Sequence, residues 1–279
     1  MTGRLVIIGA GQAAFALAAK LRSLKDERPI TILGAEDCYP YQRPPLSKKY
    51  LLGEMSFDRL LFRPEAWYGE NNVEIRLSTP VEDIDRANKT VRLFDGSTIA
   101  YDTLALATGA TPRRLPEAIG GHLDGVFTVR DKADADRLTE EMTPGRRLLI
   151  VGGGYIGLEA AAVARHLGLE VTVIEMADRI LARVAARETA DAMRAIHRGH
   201  GVVIREKTGL SRLIGENGRV VAAELSDGTR LDIEIVIAGI GVTANDALAT
   251  RAGLKTAGGI VVDAFGLTSD PSIYAMGDC

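Results

Sequence analysis

The stretch LVIIGAGQAA, residues 5–14, decides the fold of this chain. Its first four residues, Leu5–Ile8, form an unbroken apolar run, which predicts a strand buried on both faces. Gly9, Gly11 and Ala14 then fit the pattern G-x-G-x-x-G/A, in which the first glycine permits a tight turn. The second lets backbone N–H groups approach a pyrophosphate, and the alanine keeps the following helix close to the strand. The stretch therefore predicts a strand, a glycine turn and a helix whose N-terminus can bind an anion.

The same pattern recurs in residues 147–157, RLLIVGGGYIG. Gly152, Gly154 and Gly157 occupy the three glycine positions, a helix follows, and residues 171–174 form a second apolar strand. One such fingerprint is a weak signal, whereas a complete strand–glycine–helix–strand unit followed by an acid is a strong one. The repeat predicts two dinucleotide-binding folds in one chain.

An acidic residue follows the second strand of each unit, where such folds hold the adenosine ribose. In the first unit, strand 30–34 is followed by Ala35 and Glu36, and the alternative for Glu36 is an ordinary loop carboxylate. In the second unit Glu175 ends the strand. Its carboxylate would accept hydrogen bonds from the ribose hydroxyls and repel a 2′-phosphate, which favours NADH over NADPH. Arg179, four residues later, leaves NADPH binding open.

Composition sets the broad class. The chain has 279 residues, 46% hydrophobic and 25% charged, with a net charge of −3, which is typical of a soluble globular protein of about two domains. Nothing in this balance points to nucleic acid or to a membrane surface. The two cysteines, Cys38 and Cys279, argue against a disulfide scaffold, a zinc site or a redox dithiol. No signal peptide is expected, and Glu159 and Arg165 interrupt the apolar run that would be the best candidate for a membrane span. The cytoplasm is therefore the default location.

Residues 39–48, YPYQRPPLSK, form the most distinctive segment. Two consecutive prolines exclude an ordinary helix or central strand, so the loop is stiff. Arg43 and Lys48 flank the prolines and could hold a diphosphate or a flavin ring. A proline-rich connection carrying solvated cations explains the same residues equally well.

The fingerprint at Gly9 and the segment PYQRPPLSK together resemble the FAD- and NADH-dependent ferredoxin reductases that serve haem monooxygenases and ring-hydroxylating dioxygenases. These putidaredoxin reductase-like flavoproteins belong to the pyridine nucleotide-disulfide oxidoreductase superfamily, and the apoptosis-inducing-factor flavoproteins share the motif. The resemblance extends from Leu5 to Cys279. It implies that the first fold binds FAD, that the second, inserted into the first, binds NADH, and that hydride passes from NADH to the flavin.

The resemblance also implies roles for individual residues. Lys48 and Glu159 are expected to be catalytic and to meet at the reactive edge of the flavin. The match TSDPSIYAMGDC near Asp278 implies a contact of that aspartate with the flavin ribitol. The residues expected to bind the two cofactors are Gly9, Gly11, Gln12, Ala13, Ala14, Ala35, Glu36, Arg43, Pro44, Lys48, Val81, Ala107, Thr108, Gly109, Arg130, Asp278, Gly152, Gly154, Tyr155, Ile156, Gly157, Glu175, Gly239 and Gly241.

The predicted architecture is α/β, with two Rossmann-like dinucleotide-binding domains that each carry a small antiparallel β-meander. The expected boundaries are residues 1–112 for the FAD-binding domain, 113–245 for the NAD-binding domain and 246–279 for the return to the first domain. Further strands are predicted at residues 79–85, 89–94, 97–101, 202–205, 220–225 and 230–233. His197 and His200, in the sequence HRGH, are interpreted as a solvated helix end, and no metal site is expected.

The reductases that this chain resembles continue beyond the Gly-Asp-Cys sequence with a further helix and a third domain. Without those parts the FAD half-site is expected to be incomplete. By the resemblance, the final acceptor is a [2Fe–2S] ferredoxin. Two alternatives stay open: an apoptosis-inducing-factor-like protein whose redox state controls partner binding, and another NADH-dependent flavin reductase of the rubredoxin or nitrite reductase type. A disulfide reductase is disfavoured because no cysteine pair follows the first helix.

Overall fold

A computed structural model describes residues 3–279. The strands are β1 (Leu5–Ile8), β2 (Ile30–Leu33), β3 (Val73–Arg76), β4 (Val81–Asp85), β5 (Thr90–Leu93), β6 (Thr98–Ala100), β7 (Thr103–Leu106), β8 (Ala110–Pro112), β9 (Val126–Phe127), β10 (Arg147–Val151), β11 (Glu170–Glu175), β12 (Val203–Glu206), β13 (Leu210–Glu216), β14 (Arg219–Leu225), β15 (Arg230–Asp232), β16 (Ile235–Ala238), β17 (Val242–Ala244) and β18 (Ile273–Ala275). The α-helices are α1 (Gln12–Ser23), α2 (Glu65–Glu70), α3 (Lys132–Glu141), α4 (Tyr155–His166), α5 (Arg187–Gly199) and α6 (Ala247–Arg251). Short 3₁₀ turns lie at Pro44–Ser47, Phe57–Arg59 and Glu117–Ile119.

The chain divides into two units. The first comprises the described chain up to Gln42 together with Asp58–Thr111 and Thr243–Cys279, and the second comprises Arg43–Phe57 and Pro112–Val242. This division differs from the predicted boundaries mainly in Arg43–Phe57, which was expected in the first domain. The segment groups with the second unit because its 3₁₀ turn packs against α3 and α4.

The first unit is built on a five-stranded parallel sheet in the order β18-β7-β1-β2-β3. Leu5 and Ile7 pack in one core cluster with the buried alanines of α1, while Val6 and Ile8 pack in another with side chains of the antiparallel sheet β4-β5-β6. Alternate side chains of a strand point to opposite faces, so a strand covered on both faces must be apolar at every position. The unbroken run in β1 follows from this packing.

The second unit repeats the arrangement. Its parallel sheet has the order β12-β11-β10-β16-β9, and β13-β14-β15 form the antiparallel sheet. Leu149 and Val151 of β10 pack with Val220, Ala223 and Leu225 of β14. The predicted fold class, an α/β protein with two Rossmann-like folds that each carry an antiparallel meander, is confirmed.

Three further observations bear on function. His197 is only 6% exposed, and burial lowers its pKa below the ordinary histidine value, with a smaller contribution from His200. The expectation that both histidines are solvated is therefore wrong for His197. No helix within residues 3–279 is long and apolar enough to cross a membrane, and neither Cys38 nor Cys279 is in a disulfide.

Candidate functional site

The glycine turn of the first unit leaves open space at the N-terminus of α1. Gly9 has φ 105°, and a Cβ there would lie 2.1 Å from the carbonyl oxygen of Ala107, so no other residue fits. Around Gly11, the N-cap residue, a Cβ would meet no atom within 4 Å, and no side chain caps the helix. Ala14, in the first turn of α1, is fully buried, whereas Gln12 is exposed. Uncapped N–H groups beside open space suit a pyrophosphate.

A buried tyrosine holds the acidic residue that follows β2. The hydroxyl of Tyr41 donates to Oε2 of Glu36 at 2.7 Å, and Tyr41 is only 3% exposed. Ala35, beside Glu36, is exposed, and Val81 at the start of β4 packs against the core. This hydrogen bond fixes the carboxylate where a ribose is expected. Tyr41 was not among the predicted site residues, because a contact of this kind leaves no signal in sequence.

Asn245 forms hydrogen bonds with the residues that follow β7, which were expected to contact the flavin. Thr108 Oγ1 donates to the Asn245 carbonyl at 2.7 Å, and Asn245 Nδ2 returns a hydrogen bond to the Thr108 carbonyl at 2.9 Å. The backbone N–H of Asn245 also donates to the carbonyl of Gly109 at 2.8 Å. The backbone of Thr108 and Gly109 is therefore held from two sides. Asn245 is a further residue that the sequence did not single out.

The loop after β18 approaches the start of α1. A Cβ on Gly277 would lie 3.1 Å from the Cβ of Ala13, so the glycine permits a close approach. Asp278 follows in this loop and is exposed. Residues that follow four strands of the first sheet, β1, β2, β7 and β18, thus lie at the edge where the topology of a parallel sheet predicts a ligand.

The glycine turn of the second unit is built in the same way. Gly152 has φ 111°, and a Cβ there would lie 2.4 Å from the carbonyl oxygen of Gly239. A Cβ on Gly157 would lie 2.2 Å from the carbonyl oxygen of Gly152, so Gly157 lets α4 pack on the turn. Gly154 caps α4 and faces open space, and Gly241 has φ 99° with open space around it.

A cavity of about 1300 Å³ opens beside this turn within the second unit. It exceeds the roughly 300–1,000 Å³ of pockets for drug-sized ligands, so a dinucleotide is a suitable occupant. The predicted residues that line it are Arg43, Pro44, Lys48, Arg130, Gly152, Gly154, Tyr155, Ile156, Glu159, Glu175, Gly239 and Gly241. Residues from the proline-rich segment and from the second glycine turn thus share one cavity.

The carboxylate of Glu175 is oriented by backbone donors. Gly153 N–H donates to its Oε2 at 2.8 Å, and Ala177 N–H donates to its Oε1 at 2.8 Å. Each carboxylate oxygen can accept a second hydrogen bond, so the side chain stays able to accept from hydroxyl groups. Its negative charge at the wall of the cavity disfavours a further anionic group there.

Lys48 and Glu159 form an ion pair at the cavity. Lys48 Nζ lies 2.7 Å from Glu159 Oε2, with side chains 45% and 29% exposed. The hydroxyl of Ser47, which is buried, donates to the same oxygen at 2.7 Å, and Lys48 Nζ also donates to the Pro44 carbonyl at 3.2 Å. Sequence reasoning named Lys48 and Glu159 but missed Ser47. Both members of the pair belong to the second unit, whereas the lysine was expected to come from the first.

A second contact fixes the proline-rich segment beside the pair. Arg43 Nη1 donates to the carbonyl of Arg130 at 2.9 Å, and the hydroxyl of Tyr50 donates to Asp136 at 2.6 Å. The two prolines therefore lie between two contacts that hold this part of the chain against residues 130 and 136 of the same unit.

Comparisons with known proteins agree with this architecture. The model of the family described as pyridine nucleotide-disulphide oxidoreductase matches residues 3–279. A ferredoxin–NAD(P)(+) reductase from Sphingomonas sp. is 42% identical over 275 residues, covering 99% of this chain and 66% of that protein. A rubredoxin–NAD(+) reductase from Pseudomonas putida is 40% identical over 275 residues, covering 99% and 71%. The chain spans about two thirds of the length of such relatives.

Among solved structures, the crystal structure of a covalent putidaredoxin reductase–putidaredoxin complex is similar. It matches with a TM-score of 0.95 at 38% identity, and the match covers 99% of this chain and 67% of that one. At this identity and score the likeness covers both sequence and fold.

Proposed function

Because the chain belongs to the pyridine nucleotide-disulphide oxidoreductase family, we propose that it is an NADH-dependent flavoprotein reductase that passes electrons to a small electron-carrier protein. The observation that carries this proposal is the cavity of the second unit. It joins a helix N-terminus beside a glycine turn, an oriented carboxylate and a lysine–glutamate pair in one binding space.

The first unit is proposed to hold FAD. The N–H groups at Gly11 bind the pyrophosphate, and Glu36, held by Tyr41, accepts from the adenosine ribose. Thr108, held by Asn245, and Asp278 position the flavin and its ribitol. When bound, FAD supplies hydride acceptance from NADH and release of electrons one at a time.

The second unit is proposed to hold NADH. The start of α4 after Gly154 binds the pyrophosphate, and Glu175 accepts from the ribose hydroxyls of the adenosine. The same carboxylate would repel a 2′-phosphate, so NADH is preferred over NADPH. Gly241, with open space around it, leaves room for the nicotinamide end, and Gly239 lies beside it at the cavity wall.

Lys48 and Glu159 are proposed to act electrostatically. An ammonium fixed near a group that gains negative charge stabilises that charge without reorganisation. Glu159 keeps Lys48 in place and offsets part of its charge, and Ser47 keeps Glu159 in place. A pair of this kind is weak evidence for stability, because desolvation opposes the attraction between the two charges.

The proposed acceptor is a [2Fe–2S] ferredoxin that supplies a haem monooxygenase or a ring-hydroxylating dioxygenase. A rubredoxin is the second candidate, because a relative 40% identical to this chain is named a rubredoxin–NAD(+) reductase. An apoptosis-inducing-factor-like function differs in its kinetics, since such a protein would oxidise NADH slowly and keep a long-lived charge-transfer complex.

The test is to purify the protein, add FAD and follow the visible flavin absorbance while NADH is added without oxygen. We expect bound flavin that NADH bleaches rapidly, followed by reoxidation with a [2Fe–2S] ferredoxin. Reoxidation by a rubredoxin alone would replace the proposed acceptor by the second candidate. A protein that takes up no FAD, or whose bound FAD is not reduced by NADH, would refute the proposal.

A further inference from the structure

Arg179 is the cation closest in sequence to Glu175, and its guanidinium donates hydrogen bonds to backbone carbonyls of the residues that follow it. Nη1 donates to the carbonyls of Ile180 and Leu181 at 3.4 and 3.3 Å. Nη2 donates to the carbonyls of Ala182 and Ala185 at 3.3 and 2.9 Å. Both terminal nitrogens therefore bind backbone carbonyls of this turn, of which that of Leu181 also accepts from the N–H groups of Val184 and Ala185.

The segment that Arg179 holds, residues 176–185, forms one wall of the cavity, and we call it the wall segment. Its members that line the cavity are Met176, Ala177, Leu181, Ala182, Arg183 and Val184. The wall segment carries no α-helix or β-strand of its own. Its shape is therefore set by individual hydrogen bonds, both from backbone N–H groups, such as those of Val184 and Ala185 to the Leu181 carbonyl, and from the side chain of Arg179.

The wall segment stores strain at Leu181. This residue has φ 54°, a left-handed conformation that costs a non-glycine residue on the order of 1–3 kcal/mol, and its side chain is buried. The Leu181 N–H donates to the carbonyl of Gly153 in the glycine turn at 2.9 Å. The preceding N–H, of Ile180, donates to Glu206 at 2.9 Å. Arg179 adds hydrogen bonds on the carbonyl side of the same residues, so the strained turn is fixed from both sides.

We propose that Arg179 is a positioning residue that keeps the wall segment preformed for the adenosine end of either nucleotide, and that it is not a ligand of a 2′-phosphate. The proposal rests on the proposed function, in which the second unit binds NADH. To bind a phosphate, Arg179 would have to give up its bonds to the wall segment and release the strained turn. Preforming the wall lowers the ordering cost of binding, which is the same for NADH and NADPH.

The experiment measures dissociation constants for NADH and NADPH by calorimetry on the wild-type protein and on Arg179→Gln. We expect both constants to rise by the same factor, about tenfold, which corresponds to about 1.4 kcal/mol. The KM for NADH should rise while kcat with a dye acceptor stays within about twofold, because the hydrogen bonds of Arg179 go to the chain that follows Glu175 and none goes to Lys48 or Glu159. Arg179→Lys should recover part of the affinity, since one ammonium can replace some of the four hydrogen bonds.

Arg183→Gln is the matched control. It removes the same charge from the same wall segment, but no hydrogen bond to a segment carbonyl is lost with it. We expect it to raise the dissociation constant of NADH less than Arg179→Gln does. Equal effects of the two variants would show that charge alone acts, and would overturn the proposal.

Two other outcomes would also overturn it: weaker binding of NADPH alone in Arg179→Gln, or unchanged constants for both nucleotides. If the glutamine variant does not fold, Arg179→Lys carries the same comparison. A wild-type protein that binds neither nucleotide would instead refute the proposed function, so the two failures are distinguishable.

Discussion

Gly152 and Gly154 differ in what an added methyl group would disturb: the fold at Gly152 and the ligand site at Gly154. At Gly152 the new Cβ would lie 2.4 Å from the Gly239 carbonyl oxygen, and φ is 111°. The backbone conformation alone costs about 1–2 kcal/mol for alanine, and relieving the clash raises the total to about 3 kcal/mol. At Gly154 the methyl group meets no atom within 4 Å, and φ is −82°. There alanine costs only about 0.5–1 kcal/mol, as a poorer N-cap residue than glycine.

We therefore expect Gly152→Ala to lower the free energy of unfolding of the nucleotide-free protein by about 3 kcal/mol. Gly154→Ala should leave the fold intact and act on the ligand, because the methyl group occupies the space in which N–H groups approach a pyrophosphate. Loss of one hydrogen bond to a charged group is worth about 1.5–3 kcal/mol, so the dissociation constant of NADH should rise by about tenfold to a hundredfold. Denaturant unfolding without nucleotide and calorimetry with NADH measure the two effects separately. The FAD content serves as the control, since we expect Gly154→Ala to leave it unchanged.

Two results would refute this reasoning. One is a Gly154→Ala variant that binds NADH as tightly as the wild type does, which would mean that the pyrophosphate does not lie at the start of α4. The other is a Gly152→Ala variant as stable as Gly154→Ala, which would mean that the close approach of Gly152 to Gly239 is not needed for folding.

Four further predictions follow from the described contacts. Glu175→Gln should narrow the preference for NADH over NADPH by about tenfold in kcat/KM, because the repulsive charge is lost while the side-chain shape is kept; equal use of both nucleotides by the wild type would contradict this. Lys48→Met should slow flavin reduction by NADH about tenfold in stopped-flow measurements, which is equivalent to about 1.4 kcal/mol of activation free energy. The free energy of unfolding should change by less than about 1 kcal/mol, because the ion pair is partly exposed. An unchanged reduction rate would speak against an electrostatic role. Asn245→Ala should weaken FAD binding but not NADH binding in parallel titrations, because Thr108 loses the side-chain hydrogen bond that holds its carbonyl; equal losses for both ligands would indicate general unfolding. The backbone N–H of Arg147 donates to the Glu234 carboxylate and holds the pKa of Glu234 below the ordinary glutamate value of about 4.3. The ionised carboxylate therefore stabilises the fold above that pH, and this stabilisation is lost as the pH falls through the pKa of the folded state. The difference in unfolding free energy between the wild type and Glu234→Gln, under about 1 kcal/mol, should accordingly vanish in acid.

The parallel sheets and the glycine turns could be predicted because their causes are local. A strand buried on both faces must be apolar throughout, and a turn that admits no Cβ must be glycine, so β1 and Gly9 are visible in a window of ten residues. Strand β13 was missed because Ser211 and Arg212 are exposed and its apolar positions do not alternate regularly. The turn that connects β13 to β14 can nevertheless be recognised from the sequence Asn217-Gly218. Both residues have positive φ, as a two-residue type I′ hairpin turn requires.

The residues that orient the candidate ligands could not be predicted in this way. Ser47 reaches Glu159 across 112 positions of sequence, and Asn245 reaches Thr108 across 137. Serine and asparagine are common in loops, and only the folded chain shows which of them hold a functional group. His197 illustrates the same limit, because its position in a polar, basic sequence gave no sign that it is buried.

The order of strands in the first sheet has a consequence for how the protein is made. Strand β18 pairs with β7, although the whole second parallel sheet is encoded between them. A ribosome that has released Ala238 has therefore delivered every strand of the second sheet, while the first sheet still lacks one edge. Domains generally fold as units during synthesis, so the inserted unit can mature while its host is unfinished. The loop that carries Asp278 emerges after the whole second sheet, and we expect the nascent chain to complete the unit proposed to bind NADH before the unit proposed to bind FAD can retain a flavin.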